Sequence, residues 1–185
     1  MSATVEVTDM AGNLNKKANG VEMAIVPAKA RAVTRYRASD YTRPVSFITE
    51  SEVYRIADSA KAMRDDERNE LLILTMFQAA LRVTEAVKLR LQDKATIDNR
   101  HVLLVQGKGN KPRLVAIPEK LSYHLGDYAY RNKLQPQDRL FPISRFRALQ
   151  IIKQCADRAG IDRRIYCHLL RHGGAIARLK RTGNA

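Results

Sequence analysis

The chain has 185 residues, 45% of them apolar, which is enough to bury one hydrophobic core, and 33 Lys and Arg against 19 Asp and Glu give a formal charge of +14. That balance points to a polyanionic partner, nucleic acid foremost, with a basic ribosome-associated or RNA-binding role as the lesser reading. No apolar run approaches the ~18 residues needed to cross a bilayer, and the start MSATVEVTDMAG lacks the basic-then-apolar order of a secretory signal, so the chain reads as cytoplasmic without a membrane partner. Cys155 and Cys167, with the scattered His101, His124, His168 and His172, form none of the close pairings that metal sites use, so reduced thiols and no metal are expected.

Residues 1–44 show no sustained periodicity and read as a flexible arm. The second half of the arm is basic. Lys29, Arg31, Arg35, Arg37 and Arg43 stand there against Asp40, with Tyr36 and Tyr41 between them, a composition suited to following phosphates and stacking on bases, or equally to a solvated linker. Ordered structure is expected from Thr49, where Thr49-Glu50-Ser51-Glu52 is a capping-box pattern leading into a helix with Val53, Ile56, Ala57 and Ala60 on one face. A second helix, from about Asp66 to Leu81, is apolar nearly all round after its first turn and reads as the buried central helix.

A short helix at Thr84-Glu85-Ala86-Val87 follows, and Asp98-Asn99 marks a turn before the strand HVLLVQ. Gly107-Lys108-Gly109-Asn110 then joins that strand to RLVAI in a two-stranded hairpin ended by Pro118. Three more helices are expected: about Glu119 to Lys133, from Ser144 to a Gly160 cap, and from His168 to Arg181 with Gly183 as its stop. The fold class is mainly α with a small antiparallel β-hairpin, an α+β arrangement.

Three places carry chemistry. Arg82 interrupts the apolar run LLILTMFQAAL and needs a partner, either Glu85 three residues on or a ligand. Lys108 sits between glycines at a hairpin tip, where it faces solvent or reaches into a neighbouring groove. His168 and Arg171, at i and i+3, set an imidazole and a guanidinium on one helix face, a pairing suited to a phosphodiester that gathers negative charge.

Taken in order, Ala79-Ala80-Leu81-Arg82-Val83-Thr84-Glu85, Gly107-Lys108-Gly109-Asn110-Lys111, Leu140-Phe141-Pro142-Ile143-Ser144 and His168-Leu169-Leu170-Arg171-His172 resemble the tyrosine recombinase (phage integrase) family across about residues 47–185. The resemblance implies a catalytic domain over residues 45–185 that cuts and rejoins double-stranded DNA through a 3'-phosphotyrosyl link, with no metal or nucleotide cofactor. It implies that Arg82 and Arg171 clamp the phosphate, Lys108 protonates the departing 5' oxygen, His168 is the proton acceptor or hydrogen-bond donor near the attacking phenol, and Glu85 holds this shell in place. Lys111, Arg113 and Arg145 join the basic arm as candidate DNA contacts. The chain departs from the family in having Ala80 where Gly is common, and in having no tyrosine after Tyr166. The nucleophile is therefore expected to be missing from this chain, leaving it inactive alone, or else the chain is a DNA-binding remnant that no longer cuts. Family members act as tetramers on DNA, and without the tyrosine segment a monomer is expected.

Overall fold

The structure, a computed structural model, describes residues 47–107 and 111–182, all within the second of the chain's two units, Val45–Ala185. The expected basic arm with Lys29, Arg31, Arg35, Arg37 and Arg43, the hairpin tip with Lys108, and Gly183 lie outside the described residues. Six α-helices, two short 3-10 turns (Ser59–Ala62 and Leu91–Asp93) and one sheet are described: α1 (Glu50–Asp58), α2 (Asp66–Gln78), α3 (Val83–Ala86), β1 (Lys94–Ile97), β2 (Arg100–Gln106), β3 (Pro112–Ala116), α4 (Glu119–Arg131), α5 (Arg145–Arg158) and α6 (Cys167–Thr182).

Helix α1 starts at the capping box read in the sequence: Glu52 N–H donates to Thr49 Oγ1 at 3.2 Å and Thr49 N–H donates back to the Glu52 carboxylate at 2.7 Å. Helix α2 is the centre of the core, with every residue from Leu71 to Phe77 buried, and it packs against α1, α4, α5 and α6. Among the described residues no helix is long and apolar enough to cross a membrane.

Two boundaries differ from the sequence reading. Helix α2 ends at Gln78, before Leu81, because the chain closes there in a Schellman turn: Ala80 N–H donates to Phe77 O and Leu81 N–H to Met76 O, both at 3.0 Å. The left-handed position of this turn, usually glycine, is held by Ala80 at φ 49°. The sheet has three antiparallel strands in the order β1-β2-β3, where two were expected. Strand β1 escaped detection because KATI is short and mostly exposed and so lacks an alternating apolar signal. Its junction with β2 is the Asp98-Asn99 turn, both residues at positive φ (47° and 59°), as a two-residue hairpin of the type I' class requires. Ile97 pairs with Arg100 and Lys94 with Leu103, while β2 and β3 pair from Val102–Ala116 to Gln106–Pro112.

Helix α6 reaches the core through a pair of glycines. A Cβ on Gly174 would lie 1.9 Å from Phe77 O, and one on Gly173 would lie 2.4 Å from Ile48 Cγ2, so the backbone of α6 rests directly on the C-terminal end of α2. This contact sets where the His168-Arg171 face of α6 stands relative to the turn that carries Arg82.

Two substitutions test these joints by urea unfolding. Ala80→Gly is expected to stabilise the protein by about 0.5–1 kcal/mol, the left-handed penalty of alanine less the entropy cost of glycine; a lower midpoint would contradict the turn assignment. Gly174→Ala is expected to cost about 2 kcal/mol or more, since the obstacle is backbone and cannot rotate away; a neutral result would mean that α6 does not approach Phe77 as described.

Candidate active site

The Schellman turn delivers Arg82 as the residue that precedes α3, with extended backbone (φ −70°, ψ 151°). Glu85, three residues on, folds back so that its Oε2 accepts the Arg82 N–H at 2.8 Å, the carboxylate half of a capping box. The same carboxylate is almost fully buried, at 6% exposure, and gathers three guanidiniums. Arg82 Nη1 donates to Oε1 at 3.0 Å, Arg113 donates to both oxygens at 3.1 and 2.9 Å, and Arg171 Nη1 donates to Oε2 at 3.3 Å. The sequence offered two partners for Arg82, and the structure assigns it Glu85 while leaving its side chain about half exposed.

Electrostatics follow from this crowd. Burial opposes ionisation of Glu85, but the hydrogen bonds from Arg113 and from the Arg82 backbone and side chain outweigh it and hold the carboxyl at about 2. His168 is pushed the other way, below its ordinary 6.5, by desolvation first and then by the charges of His172, Arg171 and Arg82. Its ring meets that of His172 edge-on, with centroids 4.4 Å apart and planes at 88°. At neutral pH His168 is therefore a neutral imidazole beside fixed cations, able to accept a proton.

Arg82 and His168 open on one hollow of about 340 Å³, whose apolar walls include Leu149 and Tyr166. Arg113 and Arg171 border a second hollow of about 550 Å³, walled by Leu114 and Leu179. The structure thus brings Arg82, Glu85, Arg171 and His168 together from the α2–α3 turn, α3 and α6. Arg113, expected as a DNA contact, is turned onto Glu85. Lys111 and Arg145 are exposed, the first just before β3 and the second at the start of α5, and neither donates to Glu85.

Residues 46–183 of the chain match the Phage integrase family. The chain belongs to that family, the tyrosine recombinases. It is 28% identical over 142 residues to a tyrosine recombinase of Pseudothermotoga lettingae, and 32% identical over 145 residues to the tyrosine recombinase XerD of Haemophilus ducreyi. These alignments take in 75% and 69% of the chain but 48% and 47% of the relatives, so the chain spans about half the length of the curated relatives it matches. Its fold is similar to that of the XerA recombinase (TM-score 0.61, 23% identity, 74% of this chain and 50% of that one). It is also similar to a lambda integrase dimer bound to a COC' core site (TM-score 0.59, 16% identity, 75% and 54%) and to XerH bound to its difH substrate before cleavage (TM-score 0.61, 22% identity, 74% and 43%).

Two features of this tyrosine recombinase site were missed in the sequence. The partnership of Arg113 with Glu85 joins residues 28 apart on a strand and a helix, which no local pattern announces. The Gly173-Gly174 pair was readable in principle, since paired glycines inside a helix point to close backbone approach.

Glu85→Gln tests the cluster. A carboxyl with a depressed folded pKa stabilises fully above its unfolded value of 4.5 and loses that contribution as pH falls toward about 2. The variant is expected to lose about 2 kcal/mol at neutral pH, a figure kept modest by solvent around the half-exposed Arg82. Urea unfolding at a series of pH values should show the gap between the two proteins closing below pH 4.5; a constant gap would place the stabilisation elsewhere.

Proposed function

We propose that this chain is the catalytic part of a site-specific recombinase that binds double-stranded DNA and breaks and rejoins it through a 3'-phosphotyrosyl intermediate. The observation that carries the reading is the shared carboxylate: Glu85 holds Arg82 and Arg171 side by side with an imidazole of lowered pKa next to them. Two adjacent guanidiniums can each take a non-bridging oxygen of one phosphate and stabilise the extra charge of the five-coordinate transition state.

In this mechanism a phenol oxygen attacks phosphorus, the bond to the 5' oxygen breaks, and the 3' phosphate stays on the tyrosine. His168 takes the phenol proton and Lys108 gives a proton to the departing 5' oxygen. The energy of the broken phosphodiester is kept in the new ester, so rejoining needs no nucleotide cofactor. The attacking tyrosine is not among these residues: Tyr166 lines the hollow of Arg82 and His168 but precedes the His168-Arg171 motif, and no tyrosine follows it. Lys111, Arg145 and the arm cations Lys29, Arg31, Arg35, Arg37 and Arg43 supply phosphate contacts along the duplex. The chain binds as a monomer, and the protein with its tyrosine segment acts as a tetramer on DNA. Support for the DNA partner comes from the net charge and from the relatives whose structures hold a difH substrate or a COC' core site.

The deciding experiment joins this chain to the tyrosine-bearing C-terminal segment of a Xer relative and offers it nicked suicide duplexes. Covalent protein–DNA adduct is expected, reduced about a hundredfold or more by Arg171→Ala. If the extended chain binds duplex DNA in a salt-dependent manner but forms no more adduct than that variant, the protein is a non-catalytic DNA binder. Adduct formation is also expected to be level near neutral pH and to fall only below 6.5, as His168 becomes protonated. A decline centred well above that value would remove His168 from the proton acceptor's role.

A further inference from the structure

The outer cations of a DNA-binding face normally have no partner but solvent and phosphate, whereas Arg113, its side chain 36% exposed, is held on a buried carboxylate. On β3 the side chains alternate, with Pro112, Leu114 and Ala116 exposed and Arg113 on the same face as the buried Val115. A charge on the core-facing side of a strand must find a partner. The partner is Glu85, and the geometry is the two-pronged one, Nη1 on Oε1 at 3.1 Å and Nη2 on Oε2 at 2.9 Å. The hairpin is cut back to let this happen. A Cβ on Gly107 would sit 3.3 Å from Arg113 Nη1 and 3.0 Å from Lys111 O, tighter than side chains ordinarily tolerate.

The arrangement of donors shows what Arg113 does for its neighbours. Two carboxylate oxygens offer about four lone-pair directions. Oε1 receives Arg82 Nη1 and Arg113 Nη1, and Oε2 receives the Arg82 N–H, Arg113 Nη2 and Arg171 Nη1. The carboxylate is therefore saturated, and the longest of the five contacts, 3.3 Å, belongs to Arg171. Without Arg113, both prongs of Glu85's demand fall on Arg82 and Arg171, which would be drawn inward and their charge spent on the protein's own anion. With it, three cations face one anion, and because Arg113 takes both carboxylate oxygens while Arg82 and Arg171 each lend one Nη, the surplus positive charge rests chiefly on Arg82 and Arg171.

We propose that Arg113 is a positioning residue for the phosphate site: it satisfies Glu85 so that Arg171 and the outer edge of Arg82 remain directed at the substrate phosphate. This rests on the recombinase reading above. It differs from the simpler role of a DNA contact, because it acts through Glu85 and leaves overall DNA affinity almost untouched.

The test uses the chain joined to a tyrosine-bearing segment, measuring duplex affinity and the single-turnover adduct rate at saturating DNA separately. Arg113→Ala is expected to slow the adduct step by about 10- to 100-fold while the dissociation constant stays within about twofold. Arg113→Lys should not restore the rate, because an ammonium is a point charge that cannot take both oxygens. In a Glu85→Gln background, Arg113→Ala should cause no further loss, whereas a direct phosphate contact would lose as much as before. An unchanged rate, a loss confined to affinity, or a full additional loss in the Glu85→Gln background each overturns the proposal. A second readout needs no activity: on the full chain without DNA, the Glu85 carboxyl followed by carbon-13 NMR should titrate above its value of about 2 once Arg113 is removed, with the fold checked by thermal unfolding. No rise would overturn the proposal as well. An unsubstituted extended chain that forms no adduct fails the recombinase reading itself, and the Glu85 titration then decides the role of Arg113 alone.

Discussion

The buried carboxylate of Glu85 is the constraint on which the site depends. A single anion at 6% exposure cannot stand alone in a core, and its environment answers with a backbone N–H and three guanidiniums drawn from the α2–α3 turn, β3 and α6. Each guanidinium comes from a different part of the fold, so the carboxylate is also where the helical layer and the sheet are registered against each other. Ionic interactions of this kind add little net stability over an apolar core, yet removing one partner is costly, and that asymmetry makes the cluster a specific joint rather than a general adhesive. Here the joint presents surplus positive charge to the surface.

Much of this was legible in the sequence because it is local. The capping box at Thr49–Glu52, the continuous apolar run of α2 and the Asp98-Asn99 turn are set by neighbours a few residues apart, and each was found where the pattern places it. Arg82 and Glu85, and His168 and Arg171, are likewise pairs at i and i+3. What was not legible is what depends on distant contact. The end of α2 is decided by a Schellman turn whose left-handed residue is an alanine, the residue type that gives the least warning of it. Strand β1 exists because β2 offers it an edge, and its own side chains carry no alternation. Arg113 reads as one more surface cation until strand alternation sets it on the face of Val115, within reach of Glu85.

The two hollows beside the cluster differ in character. One is bounded by Arg82, His168, Leu149 and Tyr166, the other by Arg113, Arg171, Leu114 and Leu179. Each sets at least one guanidinium against apolar walls. The imidazole of His168 belongs to the first hollow and the guanidinium of Arg171 to the second, although the two side chains are one helical turn apart. Glu85 binds an arginine of each hollow, Arg82 of the first and Arg171 of the second.

The glycine pair on α6 gives this arrangement a definite tolerance. His168 and Arg171 ride on one helix and Arg82 on the turn beneath it, and what holds those two bodies at their separation is the contact of Gly174 with the carbonyl of Phe77. The gap between Arg82 and Arg171 is thus calibrated by a missing methyl group, three positions downstream of Arg171. A side chain of any size there would lift the helix as a whole, moving His168 and Arg171 together away from Arg82 without a single polar residue having been altered.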